Sequence, residues 1–216
     1  MNLIQVTHNF RATPRRRTST RRVIVHHSAG GDVSARTIHG WHLERETNGR
    51  KWLGIGYHFV VRKNGTVETG RLIDTVGAHA GAGANGDSIG VCLTGNFEYD
   101  RPTEGQYKAL AQLDREVIAP RYGKLPYEGH SKHMNTSCPG RRFDFRRLGQ
   151  ERSTITRSPV LRFNGRNSAI PVRIVNGRTE AQLSGQWVQV REFVGMIPGA
   201  TIAWDEATRT VDVVIR

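Results

Sequence analysis

Eight of the nine histidines lie between His26 and His133, and none follows His133. Clustering of this kind points to metal or catalytic chemistry confined to the first part of the chain. Three residues stand out as ligands. His26 ends an apolar run, while His130 and Cys138 bracket a loop with seven residues between them. Zinc takes imidazole nitrogen and thiolate sulfur in a tetrahedral shell, and a catalytic zinc keeps one position for water. Two histidines and one cysteine meet that count, and Pro139-Gly140 turns the chain directly after the thiol. No HExxH or CxxC pattern is present, so spacing alone leaves open a second reading of buried imidazoles and an inert cysteine.

The elements that must position these residues are readable around them. Arg22 to His27 reads as a short buried strand, closed by the breaker Ser28-Ala29-Gly30-Gly31. Ser34 caps a helix expected to run to about Glu46, with Ile38, Trp41 and His42 on one side. Tyr57 to Arg62 is a second strand. Lys63-Asn64-Gly65-Thr66 is expected to turn as type I′ into a return strand over Val67 to Arg71. Ser88 to Gly95 reads as a buried central strand. Thr103, with Gln106 at the box position, opens a helix through Tyr107, Leu110, Leu113 and Val117 to Pro120. Gly129-His130 then leads into a loop ending at Gly140. Strands alternating with helices predict an α/β fold, a mixed central β-sheet flanked by helices.

Helical patterning stops near Glu151, and short β-type runs follow at 160–163, 169–174 and 211–215. The expected division is a basic N-terminal arm over 1–22, a catalytic domain over 23–151, a linker over 152–159, and a small, mostly-β domain over 160–216 with a thin core.

At 216 residues, 37% hydrophobic and 24% charged, the chain can bury a core and is not a disordered sequence. No run of 18 apolar residues occurs, which excludes a membrane-spanning helix. The first ten residues show no charged leader followed by a long apolar stretch, so the expectation is synthesis in the cytoplasm without a signal peptide. Two cysteines are too few for a disulfide scaffold. Of the net charge of +13, +6 falls in residues 1–22, where six arginines meet no acid. Such an arm is expected to be solvated, either attracting a polyanion or merely solubilising the chain. No aromatics interleave with its arginines, so specific nucleic-acid binding is not expected.

Several segments, taken in order, carry a resemblance: Val25-His26-His27-Ser28-Ala29-Gly30, Gly56-Tyr57-His58-Phe59, Asn85 to Val91, Gly129-His130, and Thr136-Ser137-Cys138-Pro139-Gly140. Over roughly residues 20–148 the chain resembles the zinc-dependent N-acetylmuramoyl-L-alanine amidases, which include phage endolysins and share a fold with animal peptidoglycan-recognition proteins. The resemblance implies one Zn2+ per chain on His26, His130 and Cys138, with His27 a packed or outward-facing neighbour and His133 exposed. It implies Tyr57 beside the metal, orienting water or donating to the oxyanion. Thr136 stands where many relatives carry lysine and implies an uncharged donor. Cys92 stands where others carry glutamate and reads as core. His79 and Asn85 resemble groove residues that contact the muramoyl-peptide. Trp41, with Trp52, is a candidate for stacking on sugar, although a place for Trp41 in the core is the plainer reading.

Residues 160–216 are similar to the small module first named from the N-terminal region of copper amine oxidases. The features are Ile174 to Thr179, Val190 to Phe193 and Gly199 to Val211, the last read as a hairpin around 205–208. Copper is not implied, because the segment holds neither histidine nor cysteine. Wall anchoring and a stabilising or dimerising role are both open for it. The implied activity is cleavage of the amide between N-acetylmuramic acid and L-alanine in bacterial peptidoglycan. The alternatives are a recognition module that binds without cutting and a cytoplasmic recycling amidase. The implied route to the wall is release through a holin-type pore, with the basic arm meeting anionic wall polymers or the outer-membrane surface.

Overall fold

The computed structural model describes residues 1–155, 160–164, 166–167, 172–175, 178–183, 186–197, 200–205 and 210–215. The chain divides into two compact units, Met1–Ser153 and Thr154–Arg216.

The first unit is built on a six-stranded sheet. In chain order its elements are β1 (Leu3–Ile4), β2 (Arg22–His27), α1 (Ala35–Leu43), the hairpin strands β3 (Glu46–Thr47) and β4 (Arg50–Lys51), β5 (Phe59–Val61), β6 (Val67–Thr69), α2 (Ala82–Asn85), β7 (Ser88–Leu93), α3 (Glu104–Leu113), α4 (Ala119–Tyr122), β8 (Tyr127–Gly129) and α5 (Phe145–Ile155). The strand order is β1-β6-β5-β7-β2-β8, with only the β5–β6 pair antiparallel. This is the mixed sheet flanked by helices that the alternation predicts.

Period-2 alternation divides the strand side chains between two faces. Val23, Val25, Phe59, Val61, Ile89, Val91 and Leu93 share one face and pack on Tyr107, Leu110 and Leu113 of α3 and Leu148 of α5. Ile24, His26, Val60, Gly90 and Cys92 occupy the other. There Ala35 and Ile38 of α1 cover Val60 and Cys92, and Ala80 and Ala84 cover Ile24. His26 is in register with Cys92.

Local signals explain most boundaries. Thr103 and Gln106 close a complete capping box at α3, and the buried Gln106 amide also donates to the Thr94 carbonyl at 2.8 Å. The helical path continues beyond Leu113 through a π-turn over Asp114–Ile118 into α4, carrying Pro120 in its first turn, where a missing N–H costs least. Helix α1 ends at Leu43, short of the expected Glu46, because Glu46–Thr47 pairs with Arg50–Lys51. Asn48 (φ 50°) and Gly49 (φ 72°) supply the two left-handed residues of that hairpin turn. At Asn64-Gly65 only Gly65 is left-handed (φ 84°), so the expected type I′ turn is not formed there.

The arm is not wholly solvated. Leu3–Ile4 pairs with Val67–Glu68, and Arg17 is buried. Its guanidinium donates to the carbonyls of Ile73 (2.7 Å), Thr75 (2.8 Å) and Ser88 (3.1 Å), which replace the water that a buried charge loses. Arg15 and Arg16 stay exposed.

The second unit has β9 (Val160–Phe163), β10 (Arg166–Asn167), β11 (Val172–Val175), β12 (Arg178–Leu183), β13 (Gln186–Gln189), α6 (Val190–Gly195), β14 (Ala200–Asp205) and β15 (Thr210–Ile215). They form sheets of order β10-β9-β15-β14 and β11-β12-β13. Its core is small: Leu161, Ala181, Val190, Val194, Val211 and Val213. Asp205 pairs with Thr210 across the expected hairpin, whose tip at 206–209 lies outside the described residues, as do 156–159 of the expected linker. Residues 152–155 of that linker belong to α5.

Candidate metal centre

The strands β7, β2 and β8 run parallel, so their carboxyl ends open on one edge of the sheet, the usual place for ligands in such sheets. His26 sits at that end of β2, and His130 directly follows β8. Cys138 returns from the loop, held by Ser131 N–H donating to its carbonyl (2.8 Å) and by its own N–H donating to the Thr136 hydroxyl (3.3 Å). One donor atom from each of His26, His130 and Cys138 lies within 4.8 Å of the other two. His26 Nδ1 is 3.7 Å from Cys138 Sγ.

The donor set fits zinc. His130 Nε2 is buried and has no hydrogen-bond partner among the described residues, an arrangement that costs free energy unless a ligand satisfies it. In the metal-free protein, burial pushes the Cys138 thiol up to about 11, opposed by the His27 backbone N–H donating to its sulfur at 3.4 Å. A coordinated thiol is deprotonated outright, so a cation bound here would offset the cost of the buried thiolate.

Tyr57 stands beside the cluster, its ring centroid 5.0 Å from that of His26. Burial raises its phenol well above the usual range. It therefore remains an O–H donor. Cys92 is fully buried, as expected. Thr136 is partly buried, and accepting from Cys138 N–H leaves its own hydrogen available to a substrate oxygen.

Four predicted placements differ. His79 is buried at 7% exposure and faces His26 Nε2 through its Nδ1 at 2.9 Å, so its ring is turned into the protein and not into a groove. The Asn85 side-chain oxygen accepts from the N–H groups of His79 and Ala80, both at 2.8 Å, shaping the loop beneath the centre. Trp41 is 48% exposed on the outer side of α1, because Ala35, Ile38, His39 and His42 form its inward face. His133 is partly buried and bonds Glu128 at 2.9 Å, not freely exposed. His27 is the half-buried neighbour expected, accepting from Phe97 N–H at 3.1 Å.

The family model for N-acetylmuramoyl-L-alanine amidase matches residues 16–141, more than half of the chain and all three donors. The chain belongs to this amidase family. It is 35% identical over 150 residues to the endolysin of Klebsiella phage KP32, covering 65% of this chain and 93% of the relative. The endolysin of Escherichia phage T7 is also 35% identical over 150 residues, covering 66% and 93%. Among solved structures, the N-acetylmuramoyl-L-alanine amidase LysC from Clostridium intestinale URNW superposes with a TM-score of 0.62 at 28% identity, covering 69% of this chain and 95% of that one. The amidase is thus a hydrolase acting on peptidoglycan amide bonds.

Two parts of this amidase's site escape sequence reasoning. His42 Nδ1 accepts from Gly56 N–H at 2.9 Å and fixes the chain just before Tyr57. Ser88 reaches toward His79. A glycine inside the buried β7, Gly90, was the available signal, since such glycines mark a close approach.

Proposed function

We propose that this amidase cleaves the bond between the lactyl group of N-acetylmuramic acid and L-alanine, with one zinc held by His26, His130 and Cys138. The unpartnered His130 nitrogen, in a cluster whose donor atoms lie within 4.8 Å of one another, carries that reading. When bound, zinc polarises the scissile carbonyl as a Lewis acid and lowers the pKa of a coordinated water to about 7. Tyr57, kept protonated by burial, donates to the carbonyl oxygen as negative charge gathers on it. Thr136 supplies a second, uncharged donor. Trp41 is placed on the surface, where a sugar ring can stack on it.

Peptidoglycan is the substrate. Association with anionic polymers of the envelope draws on the exposed Arg15 and Arg16, and on a depression lined by Arg101, Arg141, Arg142 and Arg146 just after the Cys138 turn. No helix among the described residues is long and apolar enough to cross a membrane, and release through a holin-type pore fits an endolysin-like role. The second unit, with its likeness to the copper-amine-oxidase module, holds the enzyme on the wall. Sedimentation of residues 152–216 with purified sacculi tests this, and a fragment left in the supernatant excludes it.

The central test is a digest of purified peptidoglycan by wild type and Cys138→Ala, with new N-terminal alanine and new reducing ends measured separately. Alanine termini from wild type alone are expected. Binding without either product would make the protein a recognition module, and reducing ends alone would make it a glycosidase.

A further inference from the structure

The His79 imidazole is buried. A Cβ at Gly77 would lie 2.4 Å from its ring, and a Cβ at Gly90 would lie 2.5 Å from it, so both glycines leave the slot that it fills. Asn85 fixes its backbone N–H at 2.8 Å. These contacts surround a single chain of hydrogen bonds whose direction is forced. The Ala84 carbonyl can only accept, so Ser88 donates its hydroxyl hydrogen there, at 2.6 Å. Ser88 Oγ then meets His79 Nε2, 3.4 Å away, as an acceptor, which puts the proton of the neutral ring on Nε2. His79 Nδ1 is left with the lone pair, and at 2.9 Å it accepts from His26 Nε2.

We infer that His79 is a positioning residue that holds His26 in the Nε2–H tautomer, aiming the Nδ1 lone pair at the space beside Cys138. Metal-ligating histidines generally donate their second N–H to a carboxylate, a carbonyl or water. Here another imidazole, itself oriented by a serine, performs that task. Through Ser88 and His79 the Ala84 carbonyl, four residues before Ser88, sets which nitrogen of His26 carries the proton. The tautomer itself stands on the hydrogen-bond chain alone, whereas its effect on metal binding rests on the zinc reading above.

Two measurements separate these layers. In 15N-labelled, metal-free wild type, long-range 1H–15N correlations of the His26 ring should show the proton on Nε2, and a proton on Nδ1 would overturn the inference. Zinc affinity, measured by competition with a chromophoric chelator, should fall roughly 10–100-fold in His79→Leu. His79→Asn, whose amide oxygen can accept in place of Nδ1, should stay within about threefold of wild type. Equal loss in both variants, or no loss in His79→Leu, would reduce His79 to a packing residue. If wild type takes up no zinc, the zinc reading fails and the tautomer alone decides the inference. Should His79→Leu not fold, Ser88→Ala replaces it: a mixture of His26 tautomers is expected, and an unchanged His26 spectrum overturns the chain.

Discussion

The two faces of the six-stranded sheet are made by the same strands and differ in almost everything else. On one, Val23, Val25, Ile89, Val91 and Leu93 meet α3 and α5 in a continuous aliphatic layer. On the other, apolar cover is broken into two small clusters, one of which holds Cys92, and His26, His58 and His79 are buried as well. Stability is concentrated on the first face and chemistry on the second. Substitutions should therefore separate cleanly into those that unfold the amidase and those that silence a folded one.

The largest effect is expected at the centre itself. Cys138→Ala should abolish release of N-terminal alanine while the metal-free protein keeps its thermal midpoint, which differential scanning calorimetry can check. Leu110→Ala, opposite, should cost about 2–5 kcal/mol because Leu110 is fully buried, yet leave turnover per folded molecule unchanged. Urea unfolding paired with active-site titration tests that, and an equal fall in both would erase the distinction between the faces.

Acid should attack the second face first. Burial lowers His42 to about 4 and His58 to about 3, against about 6.5 in an unfolded chain. Between pH 6.5 and those values the unfolded chain binds protons that the fold refuses, so stability should fall steadily as the pH drops below 6.5. The loss from His42 alone should approach roughly 3 kcal/mol. Denaturant midpoints of the metal-free protein at pH 7.5, 6, 5 and 4 measure the slope, and His58→Asn should make it shallower.

Smaller effects sharpen the picture. Thr136→Val should lower turnover by roughly 100-fold with substrate binding little changed, and Thr136→Ser should restore most of it. Replacing the exposed Arg15 and Arg16 by serine should shift stability by no more than about 0.5 kcal/mol. It should weaken binding to sacculi at low salt only, and persistence of the defect at 1 M salt would argue against a charge effect.

Much of this was legible in residue order. His26, His130 and Cys138 could be picked out because each lies at a strand end or a sharp turn, and Thr103 with Gln106 announces α3 on chemistry local to one turn. What could not be read depends on contacts between distant segments. The role of His79 requires Gly77, Gly90 and Ser88 to converge on it, and nothing in its own neighbourhood distinguishes a groove contact from a buried acceptor. Likewise Arg17 looks like its neighbours Arg15 and Arg16 until three carbonyls from 56 to 71 residues downstream are placed around it. The Asn48-Gly49 hairpin was hidden because the periodicity of α1 runs on into it.

The enclosure of Arg17 also has a bearing on the order in which the molecule can be made. The carbonyl partners of this guanidinium and the strand that β1 joins all lie between Val67 and Ser88. During synthesis Arg17 must wait for its partners until Ile73, Thr75 and Ser88 have emerged. At about 5–20 residues per second that interval is roughly 4–14 s, through which this guanidinium stays without its carbonyl partners.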